Sequence, residues 1–137
     1  MNLGKVIESY DGMIHKSNGA TPKEILDIET TLNLKFGDEY KSYLNSYGNI
    51  SFLGAEIYGY ISKESGELSV LNNTLNEDEL LGKGYFVIMN IGNGDLALLD
   101  NHDNVYFYYH EIDKIVSQNI KFNEYVIELL KKNLKEM

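Results

Sequence analysis

The sequence contains no cysteine, no arginine and no tryptophan, and its 137 residues include a single proline. The absence of cysteine excludes disulfide bonds, thiolate metal sites and a cysteine nucleophile. Without arginine there is neither an arginine finger nor a bidentate guanidinium contact to phosphate. Long apolar runs are also missing, since no stretch approaches the roughly 20 residues that span a bilayer. Because the first residues also lack a signal-peptide pattern, we expect a cytoplasmic protein without membrane segments.

The remaining composition is that of a globular protein. Hydrophobic residues make up 43% of the chain and charged residues 24%, which is close to the average for folded domains. The length suits a single domain, for which about 150 residues is typical. No internal repeat or low-complexity linker divides the sequence. We therefore predict one domain over residues 1–137.

Negative charge is concentrated in the middle of the chain. The net charge is −9, and the segment 56–113 holds eleven acidic residues and two lysines, whereas the flanking segments are balanced. An acidic protein repels nucleic acid, whose binding depends on lysine and arginine. This distribution predicts either a surface that binds a basic protein partner or a charge that serves solubility alone.

Helices are predicted in the N-terminal third and at the C-terminus. Apolar residues recur at helical spacing from residue 3 to residue 14. The sequence Thr21-Pro22-Lys23-Glu24 is a capping box, in which the threonine hydroxyl and the glutamate carboxylate accept from free backbone amides. We expect a further helix that Asp38 caps and Gly48 ends. The amphipathic pattern beginning at Phe122 indicates a closing helix.

Strands are predicted after Gly48, where the apolar period changes from helical to alternating. The strand-like segments are 56–61, 85–91, 96–99 and 105–109, while Leu68, Leu71 and Leu75 suggest a short helix within 66–81. Asn93-Gly94 predicts a tight hairpin turn, because both residues tolerate positive φ. The predicted fold class is α+β: a mainly antiparallel sheet with N-terminal helices and a closing C-terminal helix packed against it.

Patterns for catalysis or metal binding are weak. Gly92-Asn93-Gly94-Asp95 lacks the lysine and the following helix of a phosphate-binding loop. Asp100, His102 and Asn104 match part of a calcium-loop spacing, but Val105 occupies the position that requires glycine. The three histidines form no ligand pair at helical spacing, and no serine lies in a nucleophile elbow. We therefore predict no enzymatic activity, no cofactor and no metal site.

Two of the predicted strands carry tyrosines on the face opposite their aliphatic residues. The tyrosines are Tyr58, Tyr60, Tyr106 and Tyr108, and the residues facing the other way are Ile57, Ile61, Val105, Phe107 and Tyr109. If the aliphatic set is core, the tyrosines form a sheet face beside the acidic residues. Exposed tyrosines are common in binding hot spots. The alternative is that a helix covers this face and that the tyrosines are core residues with satisfied hydroxyl groups.

Several segments, taken in order, resemble the SUKH superfamily, which also contains eukaryotic cell-wall assembly regulators of the Smi/Knr type. They are residues 20–48, which include the capping box and Phe36-Gly37-Asp38, then residues 91–100, residues 104–110 and Phe122-Asn123-Glu124-Tyr125. The resemblance covers residues 5–132. It departs from the family at Gly37 and Asn49, where proline and glycine are usual.

This resemblance implies a bacterial immunity protein, an antitoxin that binds a cognate polymorphic toxin, often a nuclease, and blocks it by occlusion. The expected partner is a basic protein toxin, with no direct binding of nucleic acid or membrane. Acidic residues would steer the partner and tyrosines would anchor it. The candidate partner-binding residues are Glu56, Tyr58, Tyr60, Glu77, Asp78, Glu79, Asp100, Asp103, Tyr106 and Tyr108. Two alternatives stay open: a regulatory or scaffold module for an endogenous protein, and a small-ligand binder or unrecognised enzyme.

Overall fold

A computed structural model describes residues 2–60 and 69–134, which form six helices and seven strands. The helices are α1 (Leu3–Ser9), α2 (Pro22–Leu32), α3 (Asp38–Tyr47), α4 (Val70–Leu75), α5 (Asp78–Gly82) and α6 (Phe122–Leu134). The strands are β1 (Ile14–Lys16), β2 (Ile50–Phe52), β3 (Ala55–Ile57), β4 (Phe86–Gly92), β5 (Asp95–Leu99), β6 (Asn104–Tyr109) and β7 (Lys114–Lys121). Within the two described ranges, every helix is too short or too polar to cross a membrane.

The strands form two antiparallel sheets. β1, β2 and β3 make a three-stranded sheet in that order, and β4 to β7 make a four-stranded meander. The sheets meet where the backbone amide of Tyr58, just after β3, donates to the carbonyl oxygen of Ile88 in β4 at 2.7 Å. Helix α6 closes the chain and packs against α1, α3, β6 and β7. The predicted α+β class with a closing C-terminal helix is confirmed.

Helix α2 begins as the sequence predicts. The Thr21 hydroxyl oxygen accepts from the backbone amide of Glu24 at 3.2 Å, and the Glu24 carboxylate accepts from the amide of Thr21 at 2.9 Å. Pro22 opens the first turn, where a missing amide hydrogen costs nothing. The helix ends at Asn33, which adopts the left-handed conformation with a φ of 54°. The predicted capping box is thus confirmed.

Helix α3 begins differently from the prediction. Gly37 is the N-cap residue and Asp38 is the first helical residue, so the prediction that Asp38 caps the helix is wrong. The carboxylate of Asp103, in the turn between β5 and β6, instead accepts from the amides of Glu39 and Tyr40, both at 3.0 Å. A distant turn therefore supplies the cap, which a local pattern does not reveal.

Helix α1 is shorter than its apolar spacing predicts. It ends at Ser9, and Gly12 has a φ of +92°, a conformation that a helix cannot contain. Ile14 belongs instead to β1, opposite Phe52 of β2. The helical spacing of apolar residues extends past the end of α1 because Ile14, although it lies in a strand, is buried in the same core as the apolar residues of α1. By contrast, α3 ends at Gly48, with a φ of +70°, as predicted.

The β-meander largely follows its sequence signals. The turn at Asn93-Gly94 is confirmed, with φ values of 57° and 83° between the paired strands β4 and β5. β3 is shorter than the predicted strand 56–61, whose Ile61 lies outside the described residues. The segment 66–81 holds two helices, α4 and α5, rather than one, and Leu68 also lies outside the described residues. β7 was not predicted, because its apolar residues do not alternate regularly.

The four-stranded sheet has two different faces. On the inner face, Phe86, Leu99 and Val105 are fully buried in the main core beneath α6. On the outer face, a second and smaller cluster consists of Val87, Leu98 and Leu80 of α5. This small cluster supports the side chains that form the candidate site.

Candidate functional site

The candidate site lies on the outer face of the four-stranded sheet. Tyr106 and Tyr108 of β6 pack against the small cluster of α5, β4 and β5, and both are half-buried. Phe107, between them, packs against the main core on the inner face. The alternation predicted for residues 105–109 is therefore confirmed. Both tyrosines are therefore partly buried: part of each ring packs against the small cluster and part is accessible to solvent.

Tyr106 is held in place at both ends of its ring. The ring meets Tyr85 edge-on, with centroids 5.0 Å apart, an arrangement that aromatic quadrupoles favour. Its hydroxyl donates to Asp100 Oδ2 at 3.0 Å. Partial burial and this contact with a carboxylate raise the pKa of Tyr106 above its ordinary value. Tyr106 therefore presents a neutral, fixed ring over the physiological pH range.

Asp100 organises the turn that precedes β6. Its carboxylate accepts from the backbone amides of His102 and Asn104, from the Asn104 side chain and from the Tyr106 hydroxyl. Partial burial alone would raise the pKa of Asp100, but these hydrogen bonds outweigh it and lower the pKa. Asp100 is thus a charged group whose hydrogen-bonding capacity is used within the turn.

Tyr108 is surrounded by carboxylates. Its hydroxyl donates to Asp113 Oδ1 at 2.8 Å, across the turn between β6 and β7. This hydrogen bond is the largest influence that raises the pKa of Tyr108, followed by desolvation and by the charges of Asp113, Glu77 and Glu79. The start of α5 therefore lies close enough to β6 for its acidic residues to act on the tyrosine.

A small concavity of about 120 Å³ separates α5 from the turn between β6 and β7. Tyr108 and the carboxylates of Glu77, Asp78, Glu79 and Asp113 line it, and Lys83 is the one basic residue among its lining side chains. We call the outer face here the acidic tyrosine surface. Its members are Glu77, Asp78, Glu79, Asp100, Tyr106, Tyr108 and Asp113.

The structure places the other candidate residues elsewhere. Asp103 is 5% exposed and caps α3, so its role is structural rather than that of a contact residue. Glu56 lies in β3, opposite Ser51, and partial burial raises its pKa. Tyr60 packs against the main core. Tyr58 contacts both the main core and the small cluster, so it borders the acidic tyrosine surface without belonging to it.

One member of the acidic tyrosine surface, Asp113, and one residue that supports it, Tyr85, escaped the sequence analysis. Asp113 was not chosen because β7 was not predicted, so the turn that carries Asp113 beside Tyr108 could not be placed. Tyr85 precedes β4 and supports Tyr106 from the side. The adjacent acidic residues Glu77, Asp78 and Glu79 were an available signal, and they do lie beside one of the two tyrosines.

The described ranges contain no group of three or more histidine, aspartate or glutamate side chains placed to hold a metal ion. The charges of the acidic tyrosine surface are spread over a sheet face and a helix start. Such an arrangement suits contact with an extended cationic surface, where many weak interactions add to a steering field.

Comparison with known proteins assigns the family. A family model described as SMI1-KNR4 cell-wall, a SUKH family, matches residues 3–131, and the chain belongs to this family. The chain is also similar to the spore wall maturation protein DIT1 of Saccharomyces cerevisiae, with 25% identity over 134 residues. That match covers 82% of this chain but only 24% of the yeast protein. The resemblance noted in the sequence is thus confirmed at the level of the family.

Proposed function

We propose that this SUKH-family chain is an immunity protein that binds a cognate toxin through the acidic tyrosine surface and neutralises it by occlusion. The single observation that carries the proposal is the placement of Tyr108 among the carboxylates of Glu77, Asp78, Glu79 and Asp113. A toxin that acts on nucleic acid must be cationic where it meets phosphate. An acidic inhibitor that covers this surface competes directly with the substrate.

Charge at this surface favours fast capture of a basic partner. Complementary potentials raise association rates to about 10⁸–10⁹ M⁻¹s⁻¹ at low salt. The side chains of Glu77, Asp78 and Glu79 make no hydrogen bond or ion pair to another described residue, so their charges remain available to an approaching partner. A fast encounter matters for an antitoxin, since each unbound toxin molecule attacks its own cell.

The tyrosines provide the rigid part of the contact. The hydroxyls of Tyr106 and Tyr108 are held by Asp100 and Asp113, and their rings rest on buried aliphatic residues. Ordering a side chain on binding costs about 0.5–1.5 kcal/mol, and a ring already fixed in the free protein avoids most of that cost. Rigid aromatic groups of this kind are typical anchors in protein interfaces.

The test first searches the genes next to the one for this chain for a basic protein toxin. Co-expression should protect cells from that toxin, and the purified pair should form a stoichiometric complex. In the variant Glu77→Gln, Asp78→Asn, Glu79→Gln, we expect the association rate at low salt to fall about tenfold and its salt dependence to weaken.

A matched control separates local charge from net charge. The variant Glu8→Gln, Asp27→Asn, Glu128→Gln removes three exposed carboxylates from α1, α2 and α6, so both triple variants carry the same net charge. The control should associate at the wild-type rate. Equal association rates and salt dependences in the two variants would disprove the role of the acidic tyrosine surface.

A second candidate function is a regulatory module that binds an endogenous protein. The match to a fungal spore wall maturation protein favours it, because the similarity extends over 82% of this chain. The two candidates differ in their genetic context. A neighbouring toxin gene and survival on co-expression support immunity, whereas absence of both supports regulation.

A further inference from the structure

A second surface feature lies on the opposite side of the four-stranded sheet. An open groove of about 960 Å³ runs between the inner sheet face and α6, with the tip of the β4–β5 hairpin at one end. Its size falls within the range of about 300–1,000 Å³ that is common for ligand sites. The acidic tyrosine surface lies on the outer face, so the groove is a separate site.

Aromatic side chains form the floor of this groove. Phe107 meets Tyr109 edge-on at 6.4 Å and Tyr125 of α6 at 5.9 Å between ring centroids. Tyr125 is anchored in turn, since its hydroxyl contacts the Met89 sulfur at 3.8 Å. Phe107 and Tyr109 remain half-buried, so part of each ring is open to the groove. The floor therefore offers fixed apolar patches bordered by polar groups.

Primary amides dominate the polar part of the lining. They are Asn90, Asn93, Gln118, Asn119 and Asn133. Their hydrogen bonds within the described residues leave capacity unused: Gln118 donates to Val116 and Asn133 donates to Leu53, but neither amide oxygen accepts a hydrogen bond. An amide offers a donor and an acceptor side by side, which matches two neighbouring hydroxyl groups of a ligand.

The charged side chains that line the groove are three carboxylates and one lysine, so the groove carries a small negative excess. Asp95 is engaged by His110, whose ring Nδ1 lies 2.8 Å from Asp95 Oδ1. Glu124, Glu128 and Lys132 follow one another along the exposed edge of α6. This negative excess disfavours an anionic ligand, and a cationic ligand is the competitor that the test below includes. The observations favour a neutral ligand rich in hydroxyl groups.

We propose that this groove binds a neutral oligosaccharide. Sugar rings have apolar C–H faces that pack on aromatic side chains, and hydroxyl edges that pair with amides. Both edge strands of the four-stranded sheet, β4 and β7, line the groove, so an extended peptide that pairs with a strand edge is the competing ligand in the test. An open groove also admits a chain of sugar units, which an enclosed cavity would exclude.

The test is a titration of the ¹⁵N-labelled protein, followed by amide chemical shifts. The probes are maltotriose, cellotriose, laminaritriose and N,N′,N″-triacetylchitotriose, each to about 10 mM, which saturates a site with a Kd of about 1 mM. At least one probe should give saturable shifts confined to the groove lining on β4, the β4–β5 hairpin, β6, β7 and α6. Tyr109→Ala should weaken that binding about tenfold, since it removes an aromatic contact.

Tyr10→Ala is the matched control, because Tyr10 is also a half-buried tyrosine packed on the main core but lines neither the groove nor the acidic tyrosine surface. It should bind the saccharide as the wild type does. Gln118→Ala removes one side-chain amide from the edge strand β7 and should also weaken binding. It replaces Tyr109→Ala in the test if that variant does not fold. Absence of saturable shifts with all four probes, shifts on the outer face, or stronger binding of Gly-Tyr-Gly or spermidine would overturn the proposal.

Discussion

The cap that Asp103 provides for α3 gives the sharpest test of the fold. Replacing Asp103 by alanine removes a carboxylate that accepts from the amides of Glu39 and Tyr40, each at 3.0 Å. Those amides belong to the first turn of α3, and Tyr40 is fully buried. No neighbouring side chain among the described residues replaces the lost acceptor, so the turn loses both contacts at once.

The expected loss of stability has two contributions, the lost helix cap and the backbone conformation of residue 103. Hydrogen bonds to a charged group contribute about 1.5–3 kcal/mol each, although losses within one cap are not additive, and a helix cap as a whole contributes about 0.5–2 kcal/mol. Asp103 also has a φ of +67°, a conformation that costs alanine about 1–2 kcal/mol. We therefore expect Asp103→Ala to lower the free energy of unfolding by about 3 kcal/mol and the melting temperature by about 10 °C.

Urea unfolding followed by circular dichroism measures this change. Asp103→Asn keeps one acceptor oxygen and tolerates positive φ, so it should lose roughly half as much. Gly37→Ala should also disrupt this cap, because a Cβ at residue 37 would overlap the Asp103 carboxylate. Gly82→Ala is the control, since its Cβ would meet no atom within 4 Å. A loss below about 1 kcal/mol for Asp103→Ala would refute the reasoning.

Three further changes test other parts of the structure. Gly59→Ala should destabilise by about 3 kcal/mol or more, because its Cβ would overlap the Gly48 carbonyl group where the two chain segments cross; thermal unfolding against Gly82→Ala measures this. Thr74→Val leaves the buried amide of Val87 without its 2.9 Å acceptor and should cost about 1–3 kcal/mol, while Thr74→Ser should restore protection of that amide in hydrogen exchange. Hydrogen bonding lowers the pKa of Asp100 in the folded protein. The stabilisation by the ionised carboxylate is therefore complete above the unfolded-state pKa of about 3.9, and it is lost as the pH falls through the folded-state pKa. Acid unfolding of Asp100→Asn should therefore depend less on pH below about 4 than that of the wild type, and identical profiles would contradict the assigned hydrogen bonds.

Features fixed by neighbouring residues were predictable from the sequence. The capping box at Thr21 and the turn at Asn93-Gly94 depend on chemistry within a few residues, and both are confirmed. The alternation of Tyr106, Phe107 and Tyr108 also follows from the local geometry of a strand. These three features follow from the conformational preferences of a few adjacent residues, so they do not depend on how the rest of the chain packs.

Features fixed by distant contacts were not predictable in the same way. Asp38 is a plausible local cap, yet the cap of α3 comes from Asp103 in another part of the chain. The sequence left open whether the four tyrosines form one face or lie in the core. Tyr106 and Tyr108 pack on the outer cluster, and Tyr58 contacts both clusters. Tyr60 lies against the main core because its segment belongs beside a different sheet. The alternating pattern identifies a strand but does not indicate which of two sheets the strand joins.

Hydrogen bonding divides five of the six candidate acidic residues, all but Glu56, into two groups, and the composition of the chain does not reveal this division. Asp100 and Asp103 are committed to a turn and to a helix cap, so replacing either one changes folding before it changes recognition. Glu77, Asp78 and Glu79 line the concavity beside Tyr108 without such commitments among the described residues. Glu77 is the N-cap residue of α5, and Asp78 and Glu79 lie in its first turn. The stability of that variant is therefore measured first, and a change in partner association at unchanged stability reports the loss of charge. A binding role for the acidic tyrosine surface therefore depends on the start of α5 far more than on the turn before β6.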